Sequence, residues 1–146
     1  MVSIQYQTIL IHNIFHLQTK NTSYLFRVLK SGQLEALYYG RKIRNTESFG
    51  HLYDKHLNGF SNSVAYSQAD TSLSLDHIAL EFSAYGKGDY RMPAVQLMSK
   101  DGNFTTDFKY KSHGITKLKP TLRGLPSSYG ESETLTVVLE DKVLGA

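Results

Sequence analysis

Three carboxylates, Asp76, Glu81 and Asp89, lie within fourteen positions of one another. A pair of carboxylates can act as general acid and base in glycoside cleavage. Asp89, however, sits in a glycine-rich bend two residues from Arg91. Such pairs commonly tie a loop to itself through charge-assisted hydrogen bonds, which is the preferred reading here. The histidines are His12, His16, His51, His56, His77 and His113. His51 and His56 are five apart, whereas metal pairs on a helix use a spacing of four, and no third ligand stands at matching distance. No metal site and no cofactor are expected. No serine lies in a G-x-S-x-G elbow. Gly86-Lys87-Gly88 lacks the remainder of a phosphate loop and no helix follows it. Tyr38, Tyr39, Tyr53, Tyr66, Tyr85 and Tyr90 offer rings on which a pyranose could stack while polar neighbours orient its hydroxyls. Most of them read as core or turn residues; Tyr85 and Tyr90, which bracket the glycine bend, are the exceptions.

The elements that must position these residues read as strands. Ser3–Ile11, Phe15–Gln18, Ser23–Leu29 and Leu34–Tyr39 form a run of short strands separated by Asn13, Asn21-Thr22 and Lys30-Ser31-Gly32. Tyr24, Phe26 and Val28 face one way, and Leu25, Arg27 and Leu29 the other. Both sides are largely apolar, which predicts a strand covered on both faces. Residues 41–76 are polar, rich in Ser, Asn and His, and without period; they predict a long irregular loop, either a surface connection with no further role or an arm that contacts a neighbouring subunit or domain. Further strands are expected over His77–Phe82 and Ala94–Ser99. The Lys100-Asp101-Gly102-Asn103 turn leads into another at Phe104–Lys111, with Phe104, Thr106, Phe108 and Tyr110 inward and Thr105, Asp107, Lys109 and Lys111 outward. Lys117–Tyr129 reads as an extended crossing segment. Thr134–Glu140, with Leu135, Val137 and Leu139 inward, is expected to lack a partner strand. Seven or eight strands with no good helix predict an all-β, antiparallel β-sandwich.

The chain has 146 residues, enough for one domain with a real core. Its net charge of +3 is scattered, with no block of five basic residues, so no nucleic-acid partner is expected. The absence of cysteine rules out disulfides and thiolate metal sites. The N-terminus has no basic n-region or small-residue cleavage site, and no stretch is long enough to span a bilayer. The expected setting is cytoplasmic, with no membrane partner.

Three segments, FHLQTKNTSYLFRVLKSGQLEALYYG, SLSLDHIALEFSAYGKGDYRMPAVQL, and the set TDFKYKSHGI, KPTLRGLPSSY and ETLTVVLEDKVLG, occur in order. Together they resemble the N-terminal region of the bacterial α-galactosidases of glycoside hydrolase family 36, from about Phe15 to Gly145, with Arg41–Ala69 matching poorly. The resemblance implies a β-sandwich that is part of a larger supersandwich, ahead of a (β/α)₈ barrel. That barrel holds both catalytic aspartates of a retaining mechanism, so this fragment would contain no catalytic residue. It also implies that the loop reaches towards an active site. The run Asp70-Thr71-Ser72-Leu73-Ser74-Leu75-Asp76 matches a sugar-contacting stretch, but Thr71 stands where the family has arginine, which removes a bidentate donor. A second acidic contact falls near Tyr53 or Asp54.

The expected function is that of a non-catalytic N-terminal domain, residues 1–146, of an enzyme hydrolysing terminal α-galactosides such as melibiose and raffinose. It would pack on the catalytic barrel, support a homo-oligomer and line the active-site entrance. The expected substrate contacts are Asp54, Asp70, Thr71, Tyr85, Asp89, Tyr90 and Arg91. The alternative is a free-standing carbohydrate-binding module.

Overall fold

A computed structural model describes residues 3–9, 12–46, 48–53, 64–117, 119–120, 123–126 and 130–145. Six strands occur among them: β1 (Ser3–Ile9), β2 (His12–Gln18), β3 (Thr22–Val28), β4 (Leu34–Arg41), β5 (Phe108–Thr116) and β6 (Thr134–Asp141). Single 3-10 turns cover Gly50–Leu52 and Leu75–His77, and among the described residues there is no α-helix. The first four strands form an antiparallel meander in the order β1-β2-β3-β4, and β5 and β6 form a separate antiparallel pair. No helix among the described residues is long and apolar enough to cross a membrane.

The alternation read in Thr22–Val28 produces two packed faces. On one, Phe15, Phe26, Val28 and Leu34 meet Tyr110, Leu135, Val137 and Leu139 from the second sheet. The Phe15 and Phe26 rings stack with centroids 4.8 Å apart, and the His113 ring meets the edge of Phe15 at 5.0 Å. This is the sandwich interior. On the other face, Ile14 and Leu25 pack against Phe49, with Ile43, Leu52 and Tyr53 around them. The first part of the long loop therefore serves as the cover of the meander's back.

That back face also carries polar groups, and each has a partner. Arg27 and Glu35 are cross-strand neighbours, both buried, with Arg27 Nε donating to Glu35 Oε2 at 2.6 Å. The Arg27 guanidinium lies 3.8 Å from the centroid of the Tyr53 ring. A pair like this is costly to break, because removing one partner leaves the other charge buried. His16 is buried, with Nε2 2.9 Å from Ser23 Oγ and Nδ1 3.3 Å from Asn45 Oδ1, and its ring meets Phe49 edge-on. Ser23 Oγ accepts from Ile43 N–H at 3.1 Å, and Gln18 Nε2 donates to Ile43 O at 2.9 Å. These bonds close a network that suits a neutral imidazole with its proton on Nδ1: Ser23 donates to Nε2 while Nδ1–H donates to Asn45.

Several expected strands turn out otherwise. His77–Phe82 is not a strand, because the 3-10 turn at Leu75–His77 ends with Ile78 N–H bonded to Leu75 O at 3.3 Å. Only Leu80 bridges, to Glu35, and with it Ala36 N–H bonds Ala79 O and Glu81 N–H bonds Leu34 O. This short contact covers the open edge of β4. Ala94–Ser99 has no ladder partner among the described residues and forms no strand. The turn after it does form, with Ser99 N–H bonded to Asn103 O at 2.9 Å. β5 begins at Phe108, not Phe104, and a bulge between Tyr110 and Ser112 shifts its pleat. Asp107, expected outward, is buried, while Phe104, expected inward, is exposed. β6 has a partner after all: it pairs along its length with β5. The crossing segment before β6 lies partly outside the described residues.

Truncating the ring at the centre of the interior should be the costliest single apolar change. Phe15→Ala is expected to lower unfolding free energy by about 3–5 kcal/mol, read from urea denaturation. Burial lowers the pKa of His16, with the Lys42 charge adding to this and the Asn45 bond opposing it. The folded state thus prefers neutral His16, so its contribution is full above the unfolded value of about 6.5 and is lost as pH falls through and below it. His16→Gln should flatten the decline in stability between about pH 7 and pH 5; an unchanged slope would remove His16 as its cause.

Candidate functional site

Two clefts stand out, and each is built on a buried aspartate. The first, of about 490 Å³, is lined in part by Lys30, Ser31, Tyr66, Ser67, Asp70 and Ser72. One wall is the β3–β4 turn, where Gly32 N–H bonds Leu29 O and Leu29 N–H bonds Gln33 O. Gly32 has φ of +101°, a conformation that L side chains rarely adopt. The opposite wall is the segment 66–73, closed by Tyr66 N–H to Leu73 O at 2.8 Å. Within it Asp70 N–H bonds Ser67 Oγ at 3.1 Å, and Asp70 Oδ1 accepts from Ser72 N–H at 3.0 Å and Ser72 Oγ at 2.5 Å. These Ser72 bonds hold the Asp70 carboxyl below its ordinary range. Ser31 Oγ is buried with no partner among the described residues.

The floor of this cleft rests on Asp107. Its Oδ2 accepts from Tyr66 OH at 2.6 Å and its Oδ1 from Gln33 Nε2 at 2.7 Å, with Lys109 Nζ 3.7 Å away. Its own N–H donates to Asp141 Oδ1 at 2.5 Å. Burial, then the bond to Asp107, raises the Tyr66 phenol, so it stays a donor. Burial alone would raise Asp141, but N–H groups of Asp107, Leu144, Val143 and Gly145 outweigh it and hold the carboxyl low. A carboxylate met by several N–H donors is stabilised in its charged form.

The second cleft, of about 320 Å³, is lined by Tyr85, Gly86, Gly88, Asp89, Tyr90 and Arg91. Gly86-Lys87-Gly88-Asp89 is a tight turn, with Asp89 N–H bonded to Gly86 O at 3.2 Å. Its central residues Lys87 and Gly88 have φ of +58° and +82°, the signature of the primed turns that join antiparallel strands. Tyr85 and Tyr90 therefore flank a miniature hairpin, and both are exposed. Arg91 braces it: Nε donates to Asp89 Oδ1 at 2.8 Å, Nη1 to Ile78 O at 2.5 Å and Nη2 to Leu75 O at 2.9 Å. Asp89 Oδ2 is buried and has no partner among the described residues.

The expected contacts are thus divided. Tyr85, Asp89, Tyr90 and Arg91 come together in the second cleft, Asp70 lines the first, and Thr71 sits exposed beside it. Asp54 lies outside the described residues. The three carboxylates weighed for acid–base chemistry each have a partner of their own. Glu81 accepts from Tyr24 OH, Asp76 from Ser74 Oγ, and Asp89 from Arg91. Among the described residues no three His, Cys, Asp or Glu side chains are grouped to hold a metal. His16, Ser23 and Asn45 have the bonding order of a nucleophilic triad, but His16 and Ser23 are buried and line neither of these two clefts. Both clefts offer hydroxyls, rings and fixed charges, which suits binding of a polyhydroxylated ligand. Sequence reasoning missed Ser31, Gln33 and Asp107, since nothing local distinguishes a strand-end aspartate that becomes buried.

The family model described as Glycosyl hydrolase family 36 N-terminal domain matches residues 32–146. The chain is 36% identical over 135 residues to alpha-galactosidase AgaA of Geobacillus stearothermophilus, covering 90% of this chain and 18% of that protein. It is 36% identical over 136 residues to alpha-galactosidase Mel36A of Lactobacillus acidophilus, with the same shares covered. The crystal structure of AgaA superposes with a TM-score of 0.80 at 37% identity, over 90% of this chain and 18% of that one. A variant of AgaA crystallised in complex with raffinose gives a TM-score of 0.78 at 36% identity, with the same coverage. The chain thus spans about a fifth of the length of these relatives.

The buried anchor and the exposed lining should respond differently to mutation. Tyr66→Phe removes a donor from buried Asp107 and is expected to cost about 1–3 kcal/mol in urea denaturation. Asp70→Ala, at an exposed position, should leave the denaturation midpoint unchanged.

Proposed function

Because the chain belongs to the glycosyl hydrolase family 36 N-terminal domain family, we propose that it is the non-catalytic N-terminal domain of an α-galactosidase. Its 146 residues act as one domain, with the loop 41–76 as its functional arm. The enzyme acts on terminal α-galactosides of the melibiose and raffinose type in a cytoplasmic setting, by a retaining mechanism whose two aspartates lie in a barrel on which this domain packs. The domain supports a homo-oligomer and lines the active-site entrance, with Asp54, Asp70 and Thr71 on its arm.

The observation that carries this reading is the match of residues 32–146 to the glycosyl hydrolase family 36 N-terminal domain. The site geometry supports it. The carboxylates with acid–base potential are each engaged by a hydrogen-bond donor of this chain: Glu81 by Tyr24, Asp76 by Ser74 and Asp89 by Arg91. What the clefts provide is recognition. A second reading, a free-standing carbohydrate-binding module, draws support from exposed Tyr85 and Tyr90 on the hairpin and from the unpartnered Asp89 Oδ2, an acceptor for a sugar hydroxyl.

Incubation of the chain with a chromogenic α-galactoside is expected to give no turnover. Hydrolysis abolished by Glu81→Gln or Asp89→Asn would overturn the proposal. Calorimetric titration with raffinose separates the two readings. Micromolar affinity lost in both Tyr85→Ala and Tyr90→Ala favours the module, and its absence favours the domain of a larger enzyme.

A further inference from the structure

Strand β6 is laddered on one side only. It pairs with β5 from Thr134 to Asp141, and the two form a sheet of their own. Bonds at the end of that ladder show which backbone groups face β5. Lys142 N–H donates to Asp107 O at 3.1 Å, one step beyond the Phe108–Asp141 pair. Pairs that exchange bonds alternate with pairs that do not. Tyr110, opposite Leu139, accordingly sends its N–H away from β6, to Gly32 O at 2.8 Å. The bulge between Tyr110 and Ser112 adds its extra residue to β5, so the alternation along β6 is unbroken. Thr134, Thr136, Val138 and Glu140 therefore turn their backbone groups to β5, and Leu135, Val137 and Leu139 turn theirs to the outer edge. There these three have no partner among the described residues.

An open edge recruits further strands, and proteins usually guard it with proline, charge, a bulge or a covering segment. The β6 edge is unguarded. Residues 134–139 hold no proline and no charge and are rich in β-branched side chains, which favour pairing. On the outer face Thr136 and Val138 are exposed, Val138 by 43%. The carboxylate at the end of the strand, Glu140, is already met by Lys111 and Lys142. A second strand can therefore approach without bringing unpaired like charges together.

The edge is complementary to itself when two copies run antiparallel about Val137. Val137 then exchanges both backbone bonds with its own copy, and Leu135 exchanges both with Leu139, so all three open residues are used. The side chains keep their faces. Leu135, Val137 and Leu139, which pack towards the meander, meet one another on the inner side. On the outer side Thr136 meets Val138, and Thr134 meets Glu140. Moving the axis to Thr136 or Val138 would instead set Leu139 against Glu133 or Leu135 against Asp141. We infer that the outer edge of β6 is a two-fold self-association surface whose occupant is β6 of a second copy, paired antiparallel about Val137. This rests on the homo-oligomer proposed above and names its contact. A two-fold contact presents the same patch from both copies, and here it joins their β5–β6 pairs into one continuous sheet. The paired stretch is short, so the dimer is a weak one.

The test uses the whole chain, which has no native cysteine. Thr136 of one copy and Val138 of the other form a non-hydrogen-bonded pair, with Cα atoms about 4.5 Å apart, within disulfide reach. Two copies of Thr136, or two of Val138, lie on a diagonal of roughly 7–8 Å, beyond it. Under mild oxidation a mixture of Thr136→Cys and Val138→Cys chains should form disulfide-linked dimer at least tenfold faster than either variant alone. Thr136→Lys combined with Val138→Lys sets like charges opposite each other across the axis, at positions exposed in the single chain. It should weaken the dimer at least tenfold in sedimentation equilibrium, with circular dichroism checking that it folds. A mixture that oxidises no faster than the single variants, or an oligomer indifferent to the two lysines, would overturn this contact while leaving self-association standing. A chain that stays monomeric at millimolar concentration would overturn both.

Discussion

The Phe15–Phe26 stack lies on the ladder shared by β2 and β3, and the backs of the same two strands carry Ile14 and Leu25 beneath Phe49. Both faces of this ladder are out of water. A four-stranded meander alone leaves one face bare, and three or more strands need such a face covered to be stable. Two pieces of chain from opposite sides in sequence do this. The β5–β6 pair covers the front, and Ile43, Phe49, Leu52 and Tyr53 cover the back. The rest of the architecture follows from having to bring these two covers to the same strands.

Bringing a loop onto a sheet buries polar backbone, which must find partners. The back cover meets this need through His16, Gln18 and Ser23, whose side chains reach Ile43 and Asn45. The front does so through Asp107, which gathers Tyr66, Gln33 and, through Asp141, the end of β6. In a medium of low dielectric these bonds gain strength, and an unmade one becomes expensive. The clefts lie beside these anchors because a loop pinned at one buried point stands away from the sheet elsewhere. Asp107 pins Tyr66 beneath the first cleft, and Asp89 with Arg91 pins the hairpin of the second. Cleft walls and structural ties thus share residues: Tyr66 in the first cleft, Asp89 and Arg91 in the second.

Much of the scaffold was legible in the chain. Tyr24, Phe26 and Val28 against Leu25 and Arg27 announced a strand buried on both faces, and Thr22–Val28 is one. Leu135, Val137 and Leu139 announced the inward face of β6. The errors arose where a local pattern lacked its partner. Ala94–Ser99 has strand composition but no neighbour to ladder with, so propensity did not become a strand. Phe104–Lys111 alternates cleanly, but Asp107 was drawn inward by Tyr66, forty-one residues away, and the bulge after Tyr110 reset the pleat. The Tyr85–Arg91 cluster was visible because its six lining residues fall within one run of seven that holds a primed turn; the Asp70 cleft was only half visible, because Lys30 and Ser31 come from another turn.

By itself the sequence determined which residues are apolar with period two, where the turns at Gly32 and Gly102 fall, and that a family of sandwich domains shares its motifs in order. These are local properties, set by side-chain chemistry and by the few backbone conformations each residue allows. Only the tertiary structure decided which strands pair, that β5 closes on β6, and that Asp107 and His16 are buried rather than wet. Those outcomes depend on contacts between segments far apart in the chain, where the free energy of a group is set by what happens to pack against it.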